Sequence, residues 1–250
     1  MDRSEGFALL QSGVASLGIT VTEEQWDCLY QYMRLLQDWN TRINLTSITD
    51  DAAIITKHFV DSLTLAPYIA KQLASGGKKT LCDIGTGAGF PGIPLKIVFP
   101  GIKLILVDSQ NKRLLFLEEV IRTLGLTDVE TVHMRAEDFG RDPRFRNKID
   151  LSTARAVASM NVLLELCTPP LKVDGLFLAM KGGRDEGSFN SAAKKLSCRL
   201  EGTDKFTINT VDDALGEEIA AERVIYVFRK TAVTAPAYPR KAGTPSKNPL

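Results

Sequence analysis

Apolar and polar positions change rhythm once along this chain, near residue 75. Before that point the apolar residues keep helical spacing. Trp26, Leu29, Tyr30, Met33, Leu36 and Trp39 recur every three or four positions, one face of a single helix. Thr22-Glu23-Glu24-Gln25 ahead of them is a capping box, in which the N-cap hydroxyl and the glutamine side chain satisfy the first backbone N–H groups. Phe7 to Leu17 predicts a shorter helix stopped by Gly18, and a further helix begins around Lys57 to Ser62. His58 and Asp61 lie three apart on that helix, so they share a face; a structural hydrogen bond or a solvated face is the plainer reading of the pair.

From Lys79 the pattern becomes short apolar runs alternating with amphipathic stretches. Strands are expected to end at Ile84 and Asp108 and to cover 129–133, 148–153, 175–180, 206–211 and 223–229. Helices are expected over 93–99, 111–124 and about 185–200. Strand and helix in alternation predict a doubly wound, mostly parallel α/β sheet. The division expected is a helical extension over 1–75, a cofactor-binding sheet domain over 76–230, and a tail over 231–250.

The stretch Leu81-Cys82-Asp83-Ile84-Gly85-Thr86-Gly87-Ala88-Gly89-Phe90-Pro91-Gly92 sits at the start of that sheet. A strand, a glycine loop and a helix start place backbone N–H groups beside a bound cofactor. Its spacing is G-x-G-x-G, not the G-x-G-x-x-G of dinucleotide sites, and Asp83 precedes the first glycine by two positions. Asp108 ends the next apolar run, 23 residues after Gly85, near the distance at which a carboxylate meets ribose hydroxyls. Ligands of such sheets bind beyond the carboxyl ends of the strands. That rule gathers Gly85 to Phe90, Asp108, Arg135 to Asp138, Arg155 and Lys181 as neighbours in space.

Composition narrows the class further. The chain has 250 residues, 44% of them hydrophobic, and a net charge of +1, so no global basic field marks it as a nucleic-acid binder. Cys28, Cys82, Cys167 and Cys198 form no C-x-x-C pair, which speaks against a zinc or disulfide framework. No metal site is expected with only His58 and His133 present. Without a signal-like start or a membrane-length apolar run, the cytoplasm is the default location. The tail holds Pro236, Pro239, Pro245 and Pro249 with Arg240, Lys241 and Lys247 and no acid. It reads either as a frayed end or as a basic arm that orders on phosphates.

Several segments together resemble a known family, the bacterial small-subunit ribosomal RNA guanine-N7 methyltransferases, also called glucose-inhibited division protein B. They are Trp39-Asn40 with Asn44-Leu45-Thr46, His58 with Asp61-Ser62, DIGTGAGFPGIPL from Asp83 to Leu95, Asp108-Ser109 with Lys112-Arg113 and Phe116-Leu117, Ala154-Arg155-Ala156, and Lys181-Gly182. The tail from Tyr238 to Pro245 is similar to that of Gram-positive members. The resemblance implies a Rossmann-like class I methyltransferase fold and S-adenosylmethionine as cofactor. It implies 16S rRNA as substrate, within the small subunit or an assembly intermediate, with the guanine at position 527 of the 530 loop as target. A monomer and no membrane partner are expected. Asp83, Gly85, Gly87, Gly89 and Phe90 would form the cofactor loop, Asp108 would hold the ribose, and Ala136 and Glu137 would flank the adenine. Arg155 would sit at the cofactor or at the substrate mouth, with Lys181 at the end of the adjacent strand. Arg42, Lys57, Lys112, Arg113, Lys181, Arg240 and Lys241 are candidate RNA contacts. The family commonly has Ser before that arginine, where this chain has Ala154.

Guanine N7 carries a lone pair and no proton, so no general base is assigned; the enzyme supplies proximity and a polar setting. Cys167-Thr168-Pro169-Pro170 reads as a buried thiol before a helix stop. Two other readings stay open at this stage: a nicotinamide-dependent oxidoreductase on the same fold, and a non-catalytic module with a residual pocket.

Overall fold

The computed structural model describes residues 1–155, 158–183, 188–211 and 218–250. The first helix, α1 (Arg3–Val14), starts earlier than the apolar pattern implied, because Asp2 and Glu5 form a capping box of their own. A 3-10 turn follows, and Gly18 ends it with φ +67°. The helix α2 (Glu23–Asn40) begins at the expected box, with Thr22 and Gln25 bonding reciprocally. Its buried face is Trp26, Leu29, Tyr32, Met33 and Leu36, while Tyr30 and Trp39 are half-buried. A third helical stretch runs through α3 (Asp51–Ile54), a π-helical segment (Ile55–Val60) and α4 (Asp61–Leu63), and α5 (Ala66–Ala74) leads to the sheet.

Seven strands follow: β1 (Thr80–Ile84), β2 (Lys103–Asp108), β3 (Val129–His133), β4 (Ile149–Arg155), β5 (Leu171–Lys181), β6 (Cys198–Val211) and β7 (Glu218–Lys230). Their order is β3-β2-β1-β4-β5-β7-β6. The strands from β1 to β5 pair in parallel, and β7 enters antiparallel between β5 and β6. The reversal between β1 and β4 opens a crevice at the carboxyl ends of the strands. Between the strands lie α6 (Gly92–Val98), α7 (Asn111–Thr123), α8 (Ala136–Arg141), α9 (Met160–Cys167) and α10 (Asn190–Lys195), and α11 (Thr244–Lys247) lies in the tail.

The helix expected over 185–200 differs from what is found. Its residues 185–187 lie outside the described residues. Of the rest, only Asn190–Lys195 is helical, and Cys198 onward belongs to β6. Polar residues such as Arg199, Glu201 and Asp204 hide this strand from a pattern reading. As the sheet's edge, β6 needs only one row of backbone partners, which β7 supplies.

Two apolar layers cover the sheet. One joins α1, α2 and α3 through α7 to Leu81, Leu104, Leu151, Leu178 and Ile225. The other joins α8, α9 and α10 to Cys82, Ile105, Ala154, Phe177 and Tyr226. The amino-terminal helices thus share a continuous core with the sheet. Ala154 is fully buried in the second layer, and Ala156 lies outside the described residues. No helix among the described residues is long and apolar enough to cross a membrane.

Candidate active site

The glycine loop follows β1 and is held from three sides. Gly85 and Thr86 donate their backbone N–H groups to Val107 O at 2.9 and 3.1 Å, tying the loop to β2. Asp83 lies below, fully buried, and its Oδ2 accepts from Thr86 Oγ1 at 2.8 Å and from Gly92 N at 2.9 Å. Tyr32 reaches from α2 and donates its hydroxyl to Ala88 O. Gly89 has φ +100°, and a Cβ there would stand 2.8 Å from Tyr32 Oη, from Leu117 and from Ile93, so the close approach requires glycine. Tyr32→Phe removes only the buried hydrogen bond. We expect a stability loss of about 1 kcal/mol, read from urea denaturation.

A cavity of about 430 Å³ opens above this loop at the carboxyl edge of the sheet, within the ~300–1,000 Å³ range of small-molecule sites. Gly85, Asp108, Ala136, Glu137 and Arg155 line it, as the sequence placed them. Met134, Leu163, Leu166 and Cys167 add apolar surface, and Gly243 and Ser246 come from the tail. Asp83, Gly87, Gly89 and Phe90 are not among the lining residues. They shape the loop from behind: Gly87 N donates to Asp108 Oδ2 at 3.0 Å, and Phe90 is buried against Tyr32 and His58. The Asp108 carboxylate also accepts from Gln110 N at 2.8 Å and, at a long 3.4 Å, from Arg113 Nη1. Arg113, a candidate RNA contact, lines this cavity.

These features fit an adenosine-type cofactor with a positive charge. A carboxylate stands at a strand end, the place at which such sheets meet ribose hydroxyls, and Met134, Leu163 and Leu166 offer apolar surface in the same cavity. Below the loop, Asp83 Oδ1 is buried with no partner, and burial pushes the Asp83 carboxyl up to about 6. A cationic ligand nearby stabilises such a strained carboxylate.

A second cavity, about 680 Å³, lies on the other side of Arg155. Among the described residues, Lys57, Arg155, Lys181 and Arg223 line it with one carboxylate, Asp61. Asp61 is 1% exposed, and it is the hub. Its Oδ2 accepts from Arg155 Nη1 at 2.9 Å and its Oδ1 accepts from Arg223 Nε. Arg155 also donates to Lys57 O at 3.1 Å and lies over the Phe90 ring, 5.0 Å from its centroid. Burial and the neighbouring Arg155 push His58 down to about 3, so its ring is neutral. With its proton on Nε2 the ring donates to Thr46 Oγ1 at 2.9 Å and accepts from Arg155 Nη2 at Nδ1, 3.2 Å away; with the proton on Nδ1 it donates to Lys57 O at 3.1 Å. The sequence spacing placed His58 and Asp61 on one face but did not reveal that they hold Arg155. Tyr32 and Arg223 are the site residues that sequence reasoning missed.

Of the other expected RNA contacts, Lys57 and Lys181 line the second cavity, with Lys181 Nζ donating to Ala158 O at 2.9 Å. Lys112 and Lys241 are exposed, and Arg42 is exposed and paired with Asp38. Arg240 corrects the picture of the tail. It is neither frayed nor a free arm, because Arg240 clamps the fully buried Glu165 through its guanidinium and its backbone N–H. Burial pushes the Cys82 and Cys167 thiols well up, so both stay protonated and poorly nucleophilic. Among the described residues no three His, Cys, Asp or Glu side chains cluster as a metal site requires.

The model of the rRNA small subunit methyltransferase G family, GidB, matches residues 25–215. The chain belongs to this family. A ribosomal RNA small subunit methyltransferase G from Acetivibrio thermocellus is 47% identical over 97% of the chain and 96% of its own length. One from Desulfitobacterium hafniense is 50% identical over 94% and 93%. Among solved structures, an RNA methyltransferase candidate from Pyrococcus horikoshii superposes with a TM-score of 0.52 at 12% identity, covering 81% of this chain and all of that one. A methyltransferase candidate from Bacillus halodurans gives 0.50 at 15% identity, over 66% of this chain and 98% of its own. These two likenesses concern the fold, a class I methyltransferase sheet. Membership of the methyltransferase G family makes the chain a methyltransferase and disfavours both the oxidoreductase and the non-catalytic module.

Proposed function

We propose that this protein transfers the methyl group of S-adenosylmethionine to N7 of a guanine in 16S ribosomal RNA. The observation that carries the reading is the pair of cavities that share Arg155: one has the Asp108 and Glu137 carboxylates beside Met134, Leu163 and Leu166, the other, among the described residues, has four cations and the Asp61 carboxylate. The relatives named above are methyltransferases of small-subunit rRNA, which supplies the acceptor. When bound, the cofactor supplies an activated methyl group, which a nitrogen with a lone pair and no proton accepts directly.

The residues of this chain then have positioning work to do. Asp108 and the slot around Ala136 and Glu137 hold the adenosine moiety. Arg155, held by Asp61, His58 and Lys57, forms the wall between donor and acceptor and keeps a fixed positive charge there. Lys57, Lys181 and Arg223 receive the acceptor's phosphates, and such contacts give affinity that falls with salt. The N7 edge in paired RNA lies in a deep narrow groove, so the target base is unpaired or drawn out of its stack. No side chain has to remove a proton, which agrees with a neutral His58 whose two ring nitrogens are already engaged.

The test is methylation of small ribosomal subunits from cells that lack the activity, using labelled S-adenosylmethionine, followed by digestion to nucleosides. The expected product is labelled 7-methylguanosine. Label in another nucleoside would move the acceptor, and cofactor binding without any transfer to 16S RNA would remove the substrate from the reading.

A further inference from the structure

The family match ends at residue 215, and the tail beyond β7 is left without a role. It is nonetheless among the most heavily anchored segments of the molecule. Arg146 donates to Tyr238 O at 2.8 Å and to Thr234 O at 2.9 Å, and Arg141 donates to Pro239 O at 2.7 Å. Arg240 donates to both oxygens of Glu165 with Nε and Nη2, over 2.6–3.1 Å, and its backbone N–H adds a third donor at 2.7 Å. Glu165 is fully buried on α9, and Arg240 meets it from outside that layer. Three residues further on, Gly243 N donates to Glu137 Oε1 on α8 at 2.7 Å. The tail is therefore stapled to α8 and to α9, two helices whose residues line the first cavity, and Gly243 and Ser246 line that cavity themselves.

We propose that residues 231–250 form a strap that completes the cofactor site at its adenine side, with Arg240 as the positioning residue that sets cofactor affinity through Glu165. This rests on the reading of the first cavity as the cofactor site. Two contacts give the strap its purchase. The bidentate Arg240–Glu165 pair fixes the path of the chain, because leaving Glu165 buried without its cation is costly. The Gly243–Glu137 bond then brings backbone against Ala136 and Glu137, where the base of an adenosine is expected. A ligand that contacts the strap must in turn hold it in place, since coupling between two binding events is reciprocal.

The experiment uses the full chain, with S-adenosylhomocysteine as probe, and two variants. Arg240→Ala releases the strap. Ser246→Trp leaves the clamp intact and puts bulk on an exposed position of the cavity wall. Calorimetric titration is expected to give a Kd raised at least tenfold in each. For Arg240→Ala the KM for S-adenosylmethionine should rise in step, with kcat at saturation changed less than twofold. Trypsin cleavage after Lys241 should be slow in the native protein, slower still with the probe bound, and fast in Arg240→Ala. Native affinity in both variants, with cleavage after Lys241 unaffected by the probe, would overturn the strap while leaving the cofactor site standing. If Arg240→Ala does not fold, Ser246→Trp decides alone, and unaltered affinity there overturns the proposal. Failure of the native protein to bind the probe would overturn the cofactor reading and the strap together.

Discussion

Replacing Asp61 by alanine is expected to lower folding stability by about 3–5 kcal/mol, the range for breaking a buried ion pair by removing one partner. It should also slow methyl transfer at least tenfold. The carboxylate is 1% exposed and bridges two guanidinium groups, from Arg155 at the end of β4 and from Arg223 on β7. Alanine leaves both cations in place with nothing between them. Both are mostly buried, at 15% and 21% exposure, so water restores only part of the loss. Like-charge repulsion then adds to the desolvation of each. Asp61→Asn keeps the shape and one acceptor, and its cost should be about half as large. Urea denaturation of the two variants measures this directly. A cycle with Arg155→Met isolates the pair, and a coupling energy above about 1.5 kcal/mol is expected for charges in this contact. The activity arm has a different signature. Arg155 no longer has a fixed place between the two cavities, so kcat should fall while the Kd for S-adenosylhomocysteine changes less than threefold. Full native stability in Asp61→Ala would show that the carboxylate does not organise the two arginines.

What could be read from the sequence shares one property: it is local. The glycine loop, the acid two positions before it, Asp108 and the capping box at Thr22 each occupy a few consecutive residues or one strand–helix repeat. The strand and helix alternation reports the sheet for the same reason, since each element's period is set by its own exposed and buried faces. The parts of the site that were not read are contacts across the chain. Asp61 meets Arg155 and Arg223 across 94 and 162 positions, Tyr32 meets Ala88 across 56, and Arg240 meets Glu165 across 75. No periodicity carries such pairings. Tyr32 stands three after Leu29 and four before Leu36, yet the pattern reading took Tyr30 into the stripe in its place; the helix buries Tyr32 and leaves Tyr30 half-buried. The edge strand from Cys198 is the reverse case, a segment with polar local pattern that pairing with β7 makes into a strand. Asp83 shows a subtler limit. The motif identifies it as a residue of the cofactor loop, yet the fold puts it under the loop, where it bonds Thr86 and Gly92 and does not line the cavity.

Asp108→Ala is expected to raise the Kd for S-adenosylhomocysteine by two to three orders of magnitude. Its carboxylate is only 4% exposed and accepts three hydrogen bonds, from Gly87 N, from Gln110 N and from Arg113. An ionised carboxylate has about four acceptor sites, and the 3.4 Å contact to Arg113 is the weakest of those in use. Two ribose hydroxyls can therefore be accepted at the cost of the Arg113 bond alone, while the two backbone bonds keep the group aimed. Hydrogen bonds to a charged acceptor contribute about 1.5–3 kcal/mol each, and every 1.4 kcal/mol is tenfold in Kd. Two such bonds account for the expected loss. Asp108→Asn separates charge from shape: one acceptor oxygen remains, so about tenfold of weakening is expected. Stability should respond less than affinity, because Gly85 and Thr86 still bond Val107 and hold the loop to β2. Calorimetry and thermal melting on the same preparations distinguish the two effects. Affinity within threefold of native in Asp108→Ala, with the protein folded, would place the ribose away from this carboxylate and with it the orientation of the cofactor in the cavity.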